Sequence, residues 1–227
     1  MRGVAIILMV VYHLVFDLHV FAKISYISPF SSFWFIEGKI AAGLFIFLVG
    51  VLTAVLYFDS VEKIFKKNLK RGLRLLALGI IINIASYIFD PSQMIYFGIL
   101  HFLGIGLILS SFFIKLKTYW LFLSSILTLL VGIFFQNIFL SHNFLIVLGL
   151  KSREFMSFDY FPIFPWLAVM LLGLMFGKHF YKSPQSIIKK PNILIDDFLI
   201  FCGRHSLVIY FIHQPVILGV VYLLVGK

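Results

Sequence analysis

The sequence predicts an all-α fold: a polytopic membrane helix bundle of about seven transmembrane helices, with the N-terminus cytoplasmic and the C-terminus outside. Three observations predict it. Of the 227 residues, 62% are hydrophobic and only 12% charged, which is too apolar for a soluble globule. The apolar residues come in runs of about 20, the length that crosses a bilayer as a helix. Most of the 19 lysines and arginines fall between alternate runs, where a cytoplasmic membrane face holds them. Such runs with short connections fill the chain, so residues 1–227 read as a single domain with no internal repeat.

The first span covers about 3–21. Arg2 and Val20-Phe21-Ala22 imitate a secretory signal, but a signal core is short and free of ions, whereas this run holds His13, Asp17 and His19. It is read as a retained span. Ser25, Ser28, Pro29, Ser31 and Ser32 then favour a turn-rich connection. The second span, about 39–58, extends backwards through an interfacial segment with Trp34 and Glu37, and its Ala41, Ala42, Gly43 and Gly50 permit close helix packing. Residues 59–74 carry Lys63, Lys66, Lys67, Lys70, Arg71 and Arg74 against Asp59 and Glu62, so this loop is assigned to the cytoplasm and to anionic lipid headgroups.

The third span, about 72–89, places Asn83, Tyr87 and Asp90 on one stripe before Pro91 ends it. The fourth covers about 95–115 and contains His101. A tight turn at Lys115 to Lys117 leads to the fifth, about 118–136. An outside connection, 137–161, carries His142, Lys151, Arg153, Glu154 and Asp159. Pro162 and Pro165 bracket the start of the sixth span, about 162–180, with Trp166 at an interfacial level. A second basic loop with Lys178, Lys182, Lys189 and Lys190 follows, then a short segment with Asp196 and Asp197. The seventh span, about 205–225, begins behind Arg204 and His205.

A net charge of +10 suits nucleic acid in a soluble protein, but basic residues distributed between apolar runs read as topology, so no nucleic acid partner is expected. Cys202 is the only cysteine, which excludes an internal disulfide and a cysteine metal site.

An ionisable side chain near the bilayer centre costs roughly 2.5–3.5 kcal/mol or more, so those present are functional candidates. Eleven residues of helix between Arg2 and His13 cover about 16 Å, which puts Arg2 at the cytoplasmic surface and His13 near the midplane. Asp17, four residues on, shares a face with His13 and is expected to orient its imidazole. His101 reaches a similar depth, and His213 precedes Gln214 and the kinking Pro215. Three histidines on three helices suit zinc in type, but no two have local ligand spacing, so no metal is expected. Arg71 and Arg74 enter a span where a cofactor phosphate is held bidentately.

These residues carry a resemblance. Arg2-Gly3-Val4-Ala5, with ten residues between Arg2 and His13, resembles the arginine-to-histidine signature of integral-membrane acyltransferases that modify surface sugars. Phe47-Leu48-Val49-Gly50-Val51, Leu69-Lys70-Arg71-Gly72-Leu73, Tyr96-Phe97-Gly98-Ile99-Leu100-His101, Asp159 to Trp166, and Gly203-Arg204-His205-Ser206-Leu207 through His213-Gln214-Pro215 look like the small prokaryotic proteins grouped with the catalytic domain of heparan-alpha-glucosaminide N-acetyltransferase. The chain departs from that pattern in opening at Met1-Arg2, which leaves room for residues upstream, and in being shorter than the larger members. The resemblance implies a cell-membrane enzyme that moves an acetyl or other acyl group from cytoplasmic acyl-CoA to an extracytoplasmic glycan or other small acceptor.

By that likeness His13 is the catalytic histidine, as base or acyl carrier, and Arg2 a donor-binding residue; the reading of the residues themselves adds Asp17, His101 and His213 in support. Arg2, Lys70, Arg71, Arg74, Arg204 and His205 hold acetyl-CoA or another acyl-CoA, and Tyr210, Asp159 and Trp166 meet the acceptor. Membrane lipids surround the bundle, and there is room for a homo-oligomer. Two rival readings stand beside it: a proton-coupled transporter using the histidines and Asp17 as a relay, and a non-catalytic membrane scaffold.

Overall fold

The computed structural model describes residues 1–56, 61–181 and 194–225, with side chains except at 61–63 and 194–196. Asp59, Lys182, Lys189 and Lys190 lie outside the described residues, as do the side chains of Glu62, Lys63 and Asp196. Eight α-helices are described, with no strand among the described residues: α1 Arg2–Val20, α2 Ser32–Val55, α3 Val61–Phe89, α4 Ile99–Phe113, α5 Thr118–Gln136, α6 Ile163–Phe180, α7 Leu194–Arg204 and α8 Ser206–Val225. Six of them, α1, α2, α3 from Ile64, α5, α6 and α8, are long and apolar enough to cross a membrane, and α4 is a shorter apolar helix. The protein is a multi-pass membrane protein.

The chain packs as two compact units, Met1–Phe45 with Ile188–Lys227, and Ile46–Ile187; α2 contributes to both. In the first unit α1 packs on α7 and α8. The approach of α1 to α7 is close enough that a Cβ on Gly3 would collide with the Leu199 carbonyl, and one on Gly203 would lie 3.2 Å from the Gly3 nitrogen. Small residues allow this crossing because nothing but backbone separates the two helices there. Two features pin the connection after α1. The His19 Nδ1 donates to the carbonyls of Ile24 (3.1 Å) and Ile27 (2.8 Å), and Phe30 meets the rings of Phe16 and His19. His19 therefore ties the loop down instead of standing free at the surface.

In the second unit α3 packs on α4, α5 on α6, and α4 on α6. The predicted role of Gly50 is realised: a Cβ there would strike the Met170 carbonyl, and one on Gly173 would strike that of Phe47. Asn68 donates to Ser111 at 2.9 Å in the buried contact between α3 and α4. At the turn after α4, Lys178 donates to the carbonyls of Ile114 and Leu116, filling the open C-terminal end of α4.

The backward extension of the second span through Trp34 and Glu37 is realised, since α2 starts at Ser32. The boundaries differ from the predicted spans in two places. The basic residues from Lys66 to Arg74 belong to α3 and not to a loop, because lysine and arginine are good helix formers. Helix α4 starts at Ile99 because Phe97 pairs with Tyr160 as an isolated bridge and accepts from the Phe161 N–H at 2.9 Å.

The 137–162 connection is accordingly built, not open. Tyr160 donates its hydroxyl to the Ile146 carbonyl at 2.7 Å, and burial pushes the phenol up to about 12. Asp90 caps the short 3₁₀ turn Pro91–Gln93, its Oδ1 accepting from the Ser92 N–H and hydroxyl, which holds its carboxyl below the usual range.

Candidate active site

At about 100° per residue, Arg2, Ile6, Val10, His13 and Asp17 fall within one narrow face of α1. That face turns towards α7 and α8, and it assembles the polar groups of the first unit. His13 Nδ1 lies 2.8 Å from the Met9 carbonyl one turn back. A carbonyl can only accept, so the ring proton sits on Nδ1 and the lone pair is on Nε2. His213 on α8 repeats the device: its Nδ1 lies 2.6 Å from the Tyr210 carbonyl, and its buried Nε2 has no hydrogen-bond partner among the described residues.

The two imidazoles meet edge to face, with ring centroids 4.8 Å apart and planes at 80°. The contact joins α1 to α8 within the first unit. Tyr12 and Tyr210 flank the pair, each with its ring centroid under 6 Å from a histidine.

Asp17 is fully buried, but its partner is not the one that its spacing predicts. Both of its oxygens accept from Gln214 Nε2, at 3.0 and 2.8 Å, while His13 is oriented by its own helix backbone. The carboxylate thus locks α1 to α8 next to His213. An i, i+4 spacing reports a shared face, but a facing helix can outcompete a neighbour on the same helix. Gln214 has no motif of its own beyond following His213, so its pairing with Asp17 is not legible in the chain.

At the other end of the α1 face, Arg2 donates from Nη2 to Ser206 Oγ at 2.8 Å, and its guanidinium lies 5.9 Å from the Phe45 ring centroid. The Gly3–Gly203 crossing brings Arg2 beside the α7–α8 junction, where Arg204 and His205 are exposed. His205 donates from Nδ1 to the Phe201 carbonyl at 3.0 Å and stacks on the Phe201 ring. Between Arg2 and His13 runs an apolar cavity of about 220 Å³ lined by Ile6, Ile7, Val10, Val11, Cys202 and Ile209. Along α1 come Arg2, the residues that line the trough with α7 and α8, and His13, which His213 meets from α8.

The remaining candidates belong to the second unit. His101 is buried on α4 with its ring against Gly79, whose missing Cβ makes the space, and beside Phe97. Lys70, Arg71 and Arg74 are exposed on α3. Asp159 accepts from the Ile99 N–H at 2.9 Å, capping the start of α4, where a carboxylate suits the unpaired N–H groups. Trp166 packs on Phe161. Among the described residues no three of His, Cys, Asp and Glu gather to share a metal ion.

Apolar helices long enough to cross a membrane, with paired imidazoles and a buried carboxylate in the first unit, define a multi-pass membrane protein with ionisable groups inside its helices. Residues 1–215 match the family model described as heparan-alpha-glucosaminide N-acetyltransferase, catalytic, and the chain belongs to that family. The family makes it a membrane protein of acyltransferase type. No curated protein and no solved structure matches it.

Proposed function

We propose that the protein is a cell-membrane acyltransferase that takes an acetyl or other acyl group from cytoplasmic acyl-CoA and passes it to an amine or hydroxyl of an extracytoplasmic acceptor, a glycan by family likeness. The observation that carries this reading is the 4.8 Å pairing of His13 with His213 on the helix face that begins at Arg2. A thin donor with an anionic head and a reactive thioester end fits that order of groups: Arg2, with Arg204 and His205 beside it, binds the phosphates, and the apolar trough takes the linking arm. Acetyl-CoA is the donor that the family suggests.

In the direct route the acceptor nucleophile attacks the thioester carbonyl, the carbon–sulfur bond breaks, and the proton of the nucleophile passes to the Nε2 of His13. That proton then neutralises the departing thiolate, so donor and acceptor leave as thiol and acylated product. In the covalent route the same Nε2 attacks first and carries the acyl group. Both need a neutral imidazole with its lone pair on Nε2, the tautomer that the Met9 carbonyl favours. His213 supports the pair as a second base, and Asp17 acts on it through Gln214 as a positioning residue.

The test is turnover of labelled acetyl-CoA by purified protein in lipid. His13→Ala is expected to lower it by roughly 10²–10⁴-fold with the helical content unchanged. Undiminished turnover in that variant overturns the assignment of His13. Proton-driven flux in sealed vesicles without acyl-CoA consumption overturns the transferase reading in favour of a transporter.

A further inference from the structure

Three exposed cations on α3, Lys70, Arg71 and Arg74, belong to the second unit and have no role in the site built on α1. The rotation of α3 is fixed from its other side. A Cβ on Gly72 would strike the Gly104 carbonyl, one on Gly79 would strike the His101 ring, and Asn68 donates to Ser111 at 2.9 Å, so that face is closed on α4. At about 100° per residue, Lys70, Arg71 and Arg74 share the outward face with Ile81, Ala85 and Ile88, which are exposed as well. The outward surface of the helix therefore begins basic and continues apolar.

Topology alone asks for less than this. The positive-inside rule counts cations near the end of a span, without preferring arginine to lysine or one helix face to another. About 20 residues of helix cover the hydrocarbon thickness. Counted back from Phe89, where Asp90 and Pro91 end the helix, that length begins near Lys70 and leaves Arg74 about a turn deeper, on the side away from α4. A cation at that level is costly unless an anion accompanies it. The three cations also repel one another at spacings of three and four residues. The one acid of α3, Glu62, comes about two turns before Lys70. A phosphate drawn from the surrounding bilayer meets all of these demands.

We infer that the outward face of α3 is a binding site for one anionic phospholipid, its phosphate gripped by Arg71 and Arg74 with Lys70 beside them and its acyl chains lying along Ile81, Ala85 and Ile88. Two guanidinium forks hold a phosphate bidentately, and the lysine adds a third charge. A zwitterionic lipid presents the same phosphate but carries an ammonium group that three cations repel, so a net negative headgroup is selected. The site lies wholly within the second unit and is independent of the transferase reading.

Binding of phosphatidylglycerol and of phosphatidylcholine with the same acyl chains, read by native mass spectrometry on the purified full chain in a neutral detergent, tests this. The first phosphatidylglycerol is expected to bind at least about tenfold more tightly than the first phosphatidylcholine. Arg71→Gln combined with Arg74→Gln is expected to abolish the preference. Arg71→Lys combined with Arg74→Lys keeps every charge, and with it the topology signal, but loses both forks; it is expected to lower the preference by at least about threefold.

Equal binding of the two lipids by the unsubstituted chain, or a preference that survives the glutamine pair, overturns the site. A preference untouched by the lysine pair overturns recognition by the forks and leaves a topology marker. Displacement of the bound phosphatidylglycerol by coenzyme A assigns the cations to a soluble phosphate and overturns the lipid site as well. If the glutamine pair does not insert, the lysine pair decides.

Discussion

Arg2 shows how one side chain is given a task by its surroundings. An arginine at the end of a helix is ordinarily a solvated topology marker, but here its guanidinium is oriented by Ser206 and backed by Phe45. A planar fork held this way is preorganised for a phosphate and forfeits little side-chain entropy on binding. Arg2→Ala is therefore expected to raise the dissociation constant for coenzyme A by roughly tenfold or more, with expression and thermal stability unchanged. Isothermal titration measures it, and an unchanged constant removes Arg2 from the donor site. Asp17 teaches the complementary lesson: a carboxylate four residues from a histidine serves the facing helix through Gln214.

Helices approach one another here through bare backbone, and one such crossing lies beside Arg2. Helix α1 lies on α7 so tightly at Gly3 that any side-chain carbon meets the Leu199 carbonyl. Gly3→Ala is expected to cost about 1–3 kcal/mol, because a carbonyl oxygen in a helix cannot swing aside as a side chain can. Gly219, on α8, stands in open space, with nothing within 4 Å of where a Cβ would lie. Gly219→Ala is expected to leave stability unchanged or to raise it by up to about 1 kcal/mol through helix propensity. Thermal melts of the two variants in the same detergent check both, and equal melting temperatures refute the crossing argument. Such a crossing also explains why Gly203, far away in sequence, matters to Arg2.

The whole molecule is oriented by its charge. Lysines and arginines at Arg2, on the start of α3, at 115–117 and before α8 mark one face as cytoplasmic. This assignment is a proposal, and it puts the Arg2 end of the site on the donor side with the C-terminus outside. A reporter that is active only outside the cytoplasm, fused after Lys227, is expected to be active. A silent fusion, with the same reporter active at the N-terminus, inverts the orientation and with it the side from which acyl-CoA is drawn.

Composition and hydrophobic period were enough to establish the all-helical membrane class and the approximate spans, because helix length in a bilayer is a local requirement that any arrangement of the chain must meet. The family likeness, drawn from motifs along the chain, agreed with the match over residues 1–215. Packing decided the rest. The pairing of His13 with His213, the diversion of Asp17 to Gln214, the cap made by Asp159 and the seat of Arg2 on Ser206 each join residues 60 to 204 positions apart. No local pattern encodes such distances, because each partner is selected by where one helix surface meets another, and that is settled only when the small residues at the crossings bring the backbones together.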